Sequence, residues 1–363
     1  MVGPDGLLPL PWLEATLRDT LLTRRAHALL LQGPRGVGQF DLAVTLAQAW
    51  LCEAATPPTG ARPCGHCASC RLVQARSHPD LMILLPEALR EPLGWNLSDG
   101  DEAASEKASK AKPSKEIKVE AVRAAVGFAQ VTSARGRCKV VVVHPAERMN
   151  DVAANTLLKT LEEPPGQARF VLACSEPEAL LATIRSRCQA VPMRLPPADV
   201  ATDWLTQRGL AEPAVLLAAT GGQPQEALDW AAQGLDAALW LRIPALVRYG
   251  DHGPLAQLQL PRVVDALQKL CHDAACVAAG AAPRYFPAAV VPAGADPLAL
   301  AEWSHELHRA ARHAEHPWSA GLMVEALVVR GQRALTGAGV NAARSANPPG
   351  RTARQGASVN STR

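Results

Sequence analysis

Four short segments, "ALLLQ" (28–32), "LMILLP" (81–86), "KVVVVHP" (139–145) and "RFVLACS" (169–175), are β-rich and apolar without interruption. A strand with one wet face alternates apolar and polar residues, whereas a strand buried on both faces does not. Helical patterns lie between these segments. In "AANTLLKTLEEPP" the apolar residues Ala154, Leu157, Leu158 and Leu161 recur at helical spacing, and Pro164-Pro165 stops the helix. Strand-helix alternation of this kind predicts an α/β fold, a parallel sheet flanked by helices on both sides.

The alternation ends at Pro196-Pro197, and 363 residues leave room for two or three domains. "DVATDWLTQRGL", "EPAVLLAATGG" and "QEALDWAAQGL" read as three short helices, and longer helical patterns run from about Ala237 to Leu335. We therefore expect an α/β domain over 1–195, a small helical domain over 196–236 and an all-α domain over 237–337. Trp230 and Trp240 fall on helices and are expected in the core or at its margin. Two stretches have no apolar period: an insertion rich in Ser, Ala, Lys and Glu at about 91–118, and a basic tail over 338–363. Both are expected to be disordered. A net charge of +3 is too small to argue for nucleic acid by itself. No segment resembles a signal peptide, and no apolar run approaches the roughly 18 residues of a membrane span. A cytoplasmic protein is the expectation, in which nine cysteines are not disulfide partners.

Four of those cysteines cluster: Cys52, then Cys64-Gly-His-Cys67-Ala-Ser-Cys70. Four thiolates satisfy tetrahedral zinc, and each C-x-x-C turn points both sulfurs the same way. A redox motif uses one such pair, not two overlapping ones. His66 is a substitute ligand that four cysteines make unnecessary. With every position filled by protein, the expected zinc is structural.

After "ALLLQ" comes Gly33-Pro34-Arg35-Gly36-Val37-Gly38-Gln39-Phe40. The phosphate-binding pattern G-x-x-x-x-G-K-[ST] needs Lys to neutralise phosphate and Ser or Thr to hold magnesium. Gln39 has no charge, and Phe40 has no oxygen. A glycine loop alone is weak evidence, since plain strand-helix turns are common.

The segments "NTLLKTLEEPP" (155–165) and Thr183-Ile-Arg-Ser186-Arg187-Cys188, together with the cysteine cluster, resemble the bacterial clamp-loader subunits of the AAA+ family over about residues 26–230. The resemblance implies an AAA+ domain, a helical lid (196–236) and a helical collar for oligomerisation (237–337). Active members carry Asp-Glu where this chain has His144 and Pro145. The sensor arginine of the lid aligns with Gln225. The resemblance thus implies a chain that neither binds nor hydrolyses ATP. Gamma/tau subunits keep the P-loop Lys and Thr, and delta subunits lack the cysteine module and the Ser-Arg-Cys element, so the combination selects a third, non-catalytic branch. It implies a component of the DNA polymerase III holoenzyme, partnered by gamma/tau and delta in a hetero-oligomeric ring. The sliding clamp and primed DNA are reached through that complex, with no membrane and no small-molecule substrate.

The resemblance also assigns Arg187, with Ser186 and Cys188, the role of an arginine finger offered to a neighbour's ATP. Taken alone, Arg187 would read as a solvated surface arginine, as Arg185 does. Two other readings remain: an ATPase with an atypical site, and a zinc-module nucleic-acid binder. Against the latter, "CGHCASCRLVQARSHPD" has few basic residues and no aromatic for stacking.

Overall fold

The structure, a computed structural model, describes residues 1–54, 63–95, 113–313 and 320–336. Helix α1 (Leu13–Thr23) precedes strand β1 (Ala28–Gln32), which feeds helix α2 (Gln39–Leu51) and the short α3 (Ala68–Gln74). Then follow β2 (Leu81–Leu84), α4 (Glu87–Arg90), α5 (Val119–Gln130), β3 (Val140–Val143), α6 (Asp151–Glu162) and β4 (Arg169–Cys174). The α7 helix (Ala182–Arg187) leads into β5 (Gln189–Pro192).

The five strands form one parallel sheet in the order β2-β3-β4-β1-β5. Leu30 stands between Leu172 and Ala190, and Val142 between Ile83 and Val171. All four valines of β3 are buried, as its unbroken apolar run requires. This is the parallel sheet of the α/β fold expected above, with one strand more than was legible. In β5 only Val191 is buried, so no apolar run announces it.

Helix α2 is buried on most of its surface, which makes it a core helix and not a surface one. Helix α6 begins where Asn150 Oδ1 accepts the N–H of Ala153 at 2.9 Å and ends before Pro164-Pro165. Ala154, Leu157 and Leu161 face inward as their spacing predicts, and Leu158 is half-buried.

Among the described residues, every regular element past β5 is helical: α8 (Ala198–Gln207), α9 (Pro213–Ala219), α10 (Pro224–Ala232), α11 (Ala237–Tyr249), α12 (Leu260–Ala278), α13 (Pro297–Arg312) and α14 (Ala320–Thr336). The chain divides into two compact units, one of Met1–Leu210 with Gly222–Leu228, the other of Ala211–Gly221 with the residues from Asp229 onward. The second unit is built around Trp230, Trp240 and Trp303, all fully buried, with Trp240 stacked on Phe286 at 4.2 Å. Each such aromatic contributes a large apolar area and a fixed geometry to the core.

The segment expected to be a disordered insertion has structured ends. Glu87 Oε2 accepts the N–H of Ser114 and Glu87 Oε1 pairs with Lys118, while Trp95 packs on Phe40. Residues 96–112 and the tail from 337 lie outside the described residues. Among the described residues no helix is long and apolar enough to cross a membrane.

Candidate functional site

The glycine loop between β1 and α2 is closed from inside. The Gln39 side chain is buried, and its Nε2 donates to the carbonyls of Gly33 at 2.8 Å and Pro34 at 2.5 Å, reaching Ser175 Oγ at 3.4 Å. A neutral amide that satisfies loop carbonyls needs no anion beside it. The Trp12 indole N–H ties the loop from outside, donating to the Val37 carbonyl at 2.9 Å.

Protein packing also accounts for the retained glycines. A Cβ on Gly33 would lie 2.4 Å from the carbonyl oxygen of Met193, just past β5. Gly36 has φ +68°, and a Cβ there would lie 3.0 Å from the backbone nitrogen of Glu226. The residue expected at the sensor position, Gln225, donates its own N–H to the Gly36 carbonyl at 3.3 Å and its Nε2 to Asp41 Oδ2 at 2.9 Å.

Where magnesium would sit in an ATPase, aromatic rings meet. Phe40 lies 5.1 Å from the His144 ring and 6.4 Å, edge-on, from Trp95. Burial lowers the His144 pKa to about 4, against the pull of Glu147 and Asp41, so the imidazole is neutral at neutral pH. Its Nδ1 is buried with no partner among the described residues. Pro145 has no side-chain acceptor. The next acid along, Glu147, accepts the N–H of Ser175 at 3.0 Å. Hard, hydrated magnesium requires oxygen ligands, and neither residue at these two positions supplies one.

The four thiols converge. All Sγ atoms of Cys52, Cys64, Cys67 and Cys70 lie within 4.8 Å of one another, with Cys64–Cys70 at 3.9 Å and Cys52–Cys67 at 4.0 Å. Four sulfurs around one zinc at about 2.3 Å stand about 3.8 Å apart, so this cluster has the size of that shell. Cys52 comes from the end of α2, and the others from the knuckle that starts α3. The N–H groups of Cys67 and Cys70 donate to Cys64 Sγ and Cys67 Sγ at 3.3 and 3.4 Å, as thiolates would favour. His66 is exposed and its ring is engaged by the Cys64 carbonyl, so it is not a fifth candidate ligand. A network, buried at Ser69, His78 and Asp80 and reaching the surface at Arg135, fastens the module to the sheet edge. Arg135 pairs with Glu53, while Ser69 bonds His78 at 2.7 Å and the backbone N–H of Asp80 donates to His78 Nδ1.

Arg187 is the last residue of α7. Its Nε and Nη2 donate to Glu162 Oε1, and Nη1 to the Thr183 carbonyl at 3.0 Å and to Ser186 Oγ at 3.3 Å. Arg185, expected to be a solvated surface residue, is paired with Glu178 at 2.7 Å. Cys188 is partly buried, and desolvation raises its pKa to about 12, so it is an inert thiol. Sequence reasoning missed Glu162 and Trp95. Glu162 lies within the quoted hallmark segment, but nothing in its spacing ties it to an arginine 25 residues on.

Residues 15–197 match the family model described as DNA polymerase III, delta subunit. The chain is 38% identical over 231 residues to the DNA polymerase III subunit delta' of Pseudomonas aeruginosa, covering 62% of this chain and 62% of that protein. It is 35% identical over 278 residues to the Escherichia coli subunit delta', covering 73% of this chain and 75% of that one. Similarity to the Escherichia coli subunit tau is 34% over 176 residues, covering 48% of this chain and 23% of tau.

Proposed function

We propose a role for this chain from the premise that it belongs to the delta-prime family of DNA polymerase III subunits. It is a subunit without ATPase activity of its own in a ring with gamma/tau and delta subunits, and the ring loads the sliding clamp onto primed DNA in the cytoplasm. Residues 196–236 serve as the lid and 237–337 as the collar of that ring. A single zinc ion held by Cys52, Cys64, Cys67 and Cys70 stiffens the first unit and takes no part in chemistry.

One observation carries the reading. Each position at which an ATPase would handle phosphate or magnesium is filled by a side chain that bonds or packs within the protein: Gln39 on its own loop, Phe40 on His144, and Gln225 on Asp41. Such a chain contributes to hydrolysis only from outside its own cradle, and Arg187 is the group suited to that. An arginine reaching a neighbour's γ-phosphate stabilises charge developing in phosphoryl transfer, worth roughly 10³–10⁵ in rate.

The test is ATP turnover by the reconstituted complex. Arg187→Ala is expected to leave folding, zinc content and assembly intact while lowering clamp- and DNA-stimulated turnover and clamp loading. Arg187→Lys should not restore them, because an ammonium lacks the planar fork. Arg185→Ala is a matched control, its side chain 31% exposed against 32% for Arg187 and likewise ion-paired. Equal effects at 185 and 187, or none at 187, would overturn the finger.

A further inference from the structure

We propose that Glu162 is the positioning residue of the arginine finger, so that "LEEPP" and "SRC", read separately in sequence, are two halves of one device. The inference rests on the finger reading given above.

A guanidinium presents five N–H donors along three edges. The side-on edge, formed by Nε and Nη2, is held by Glu162 Oε1. Nη1 faces back toward the helix, where the Thr183 carbonyl accepts from it at 3.0 Å. What remains is the end-on fork, one hydrogen each from Nη1 and Nη2; among the described residues its nearest partner is Ser186 Oγ, 3.3 Å from Nη1. The Ser186 hydroxyl in turn donates to the same Thr183 carbonyl at 3.0 Å. That end-on fork is itself a bidentate grip for two phosphate oxygens.

The supporting elements are rigid where they matter. Glu162 closes α6, whose Leu157 and Leu161 are buried in the sheet core and whose chain is stopped by Pro164-Pro165. Arg187 closes α7, anchored by the fully buried Ile184. Two helix ends fixed on one core set the distance between carboxylate and guanidinium. An arginine side chain left unheld has rotamer entropy to lose on meeting its target. The bonds to Glu162 and Thr183 restrict that freedom in advance.

The experiment places Glu162→Ala, Glu162→Gln, Arg187→Ala and the Glu162→Ala/Arg187→Ala pair in the reconstituted complex. Assembly, KM for ATP and kcat of clamp- and DNA-stimulated turnover are measured for each. Glu162→Ala is expected to lower kcat on the order of ten- to a hundred-fold, the scale of a misplaced catalytic group, with KM and assembly near normal. Glu162→Gln keeps one acceptor oxygen and should recover part of the loss. The double variant should turn over no more slowly than Arg187→Ala alone. A rise in kcat for Glu162→Ala would mean that the carboxylate restrains the arginine, and would overturn the proposal. Unchanged kcat, or losses that multiply in the double variant, would also overturn it. If Arg187→Ala falls while Glu162→Ala does not, positioning alone has failed; if Arg187→Ala is unchanged, the finger itself has.

Discussion

The ring of Phe40 lies 5.1 Å from the ring of His144, joining by an apolar contact two positions that an ATPase uses to hold magnesium. The first is the hydroxyl position of the phosphate loop and the second the acid position after β3. On the reading proposed above, restoring either residue alone meets a neighbour shaped for the other.

Gln39→Lys with Phe40→Thr is therefore expected to leave the isolated chain without ATP hydrolysis. His144 and Pro145 still supply no carboxylate, and Gln225 still occupies Asp41. Phosphate release from ATP measures it directly. Turnover by the unmodified chain, abolished by substitutions within 33–40, would contradict the whole account of the cradle.

The glycines should matter with no nucleotide present. Gly36→Ala combines a left-handed φ with a contact at 3.0 Å to the Glu226 backbone and is expected to cost about 1–3 kcal/mol. Gly33→Ala, facing the Met193 carbonyl, is expected to cost at least as much. Urea midpoints of nucleotide-free protein are the measurement. Unchanged midpoints would mean that these glycines are not held in place by packing.

Protein purified without added metal should carry one zinc per chain, with the four clustered thiols unreactive until a chelator is added. Burial pushes the Cys52 and Cys70 thiols upward, so without metal they hold their protons at neutral pH. Binding metal releases those protons, and affinity should therefore fall as pH falls. Cys70→Ser should lose the metal and lower the melting temperature, as followed by metal analysis and calorimetry.

Stability should also record the burial of His144. Its folded pKa is about 4, against about 6.5 when unfolded. Above pH 6.5 the ring is neutral in both states and contributes no slope. Between about 6.5 and 4 the unfolded chain binds more protons, so stability is lost as pH falls through that window. His144→Phe keeps the ring contact with Phe40 and removes the titration. The gap between denaturation midpoints at pH 7 and pH 5 should shrink in that variant, leaving a remainder from buried His78, whose pKa is also lowered. An undiminished gap would show that His144 is already solvated in the folded state.

By itself the sequence determined the apolar strands, the thiol cluster and the residue types that stand along the glycine loop and after β3. Unbroken apolar runs such as Val140–Val143 identify buried parallel strands, because no half-wet strand tolerates them. The C-x-x-C spacing identifies a thiol cluster, because chelation is local. Gln39, Phe40 and Pro145 carry no ionisable group and His144 offers no oxygen, which residue type alone shows. Tertiary structure decided what each side chain meets. That Gln39 bonds its own loop, that Gln225 reaches Asp41 across 184 residues, and that Glu162 holds Arg187 are contacts between distant segments. Residue type and local period report only on neighbours along the chain. β5 was missed for the same reason: with one buried side chain, Val191, it is a strand because β1 lies beside it.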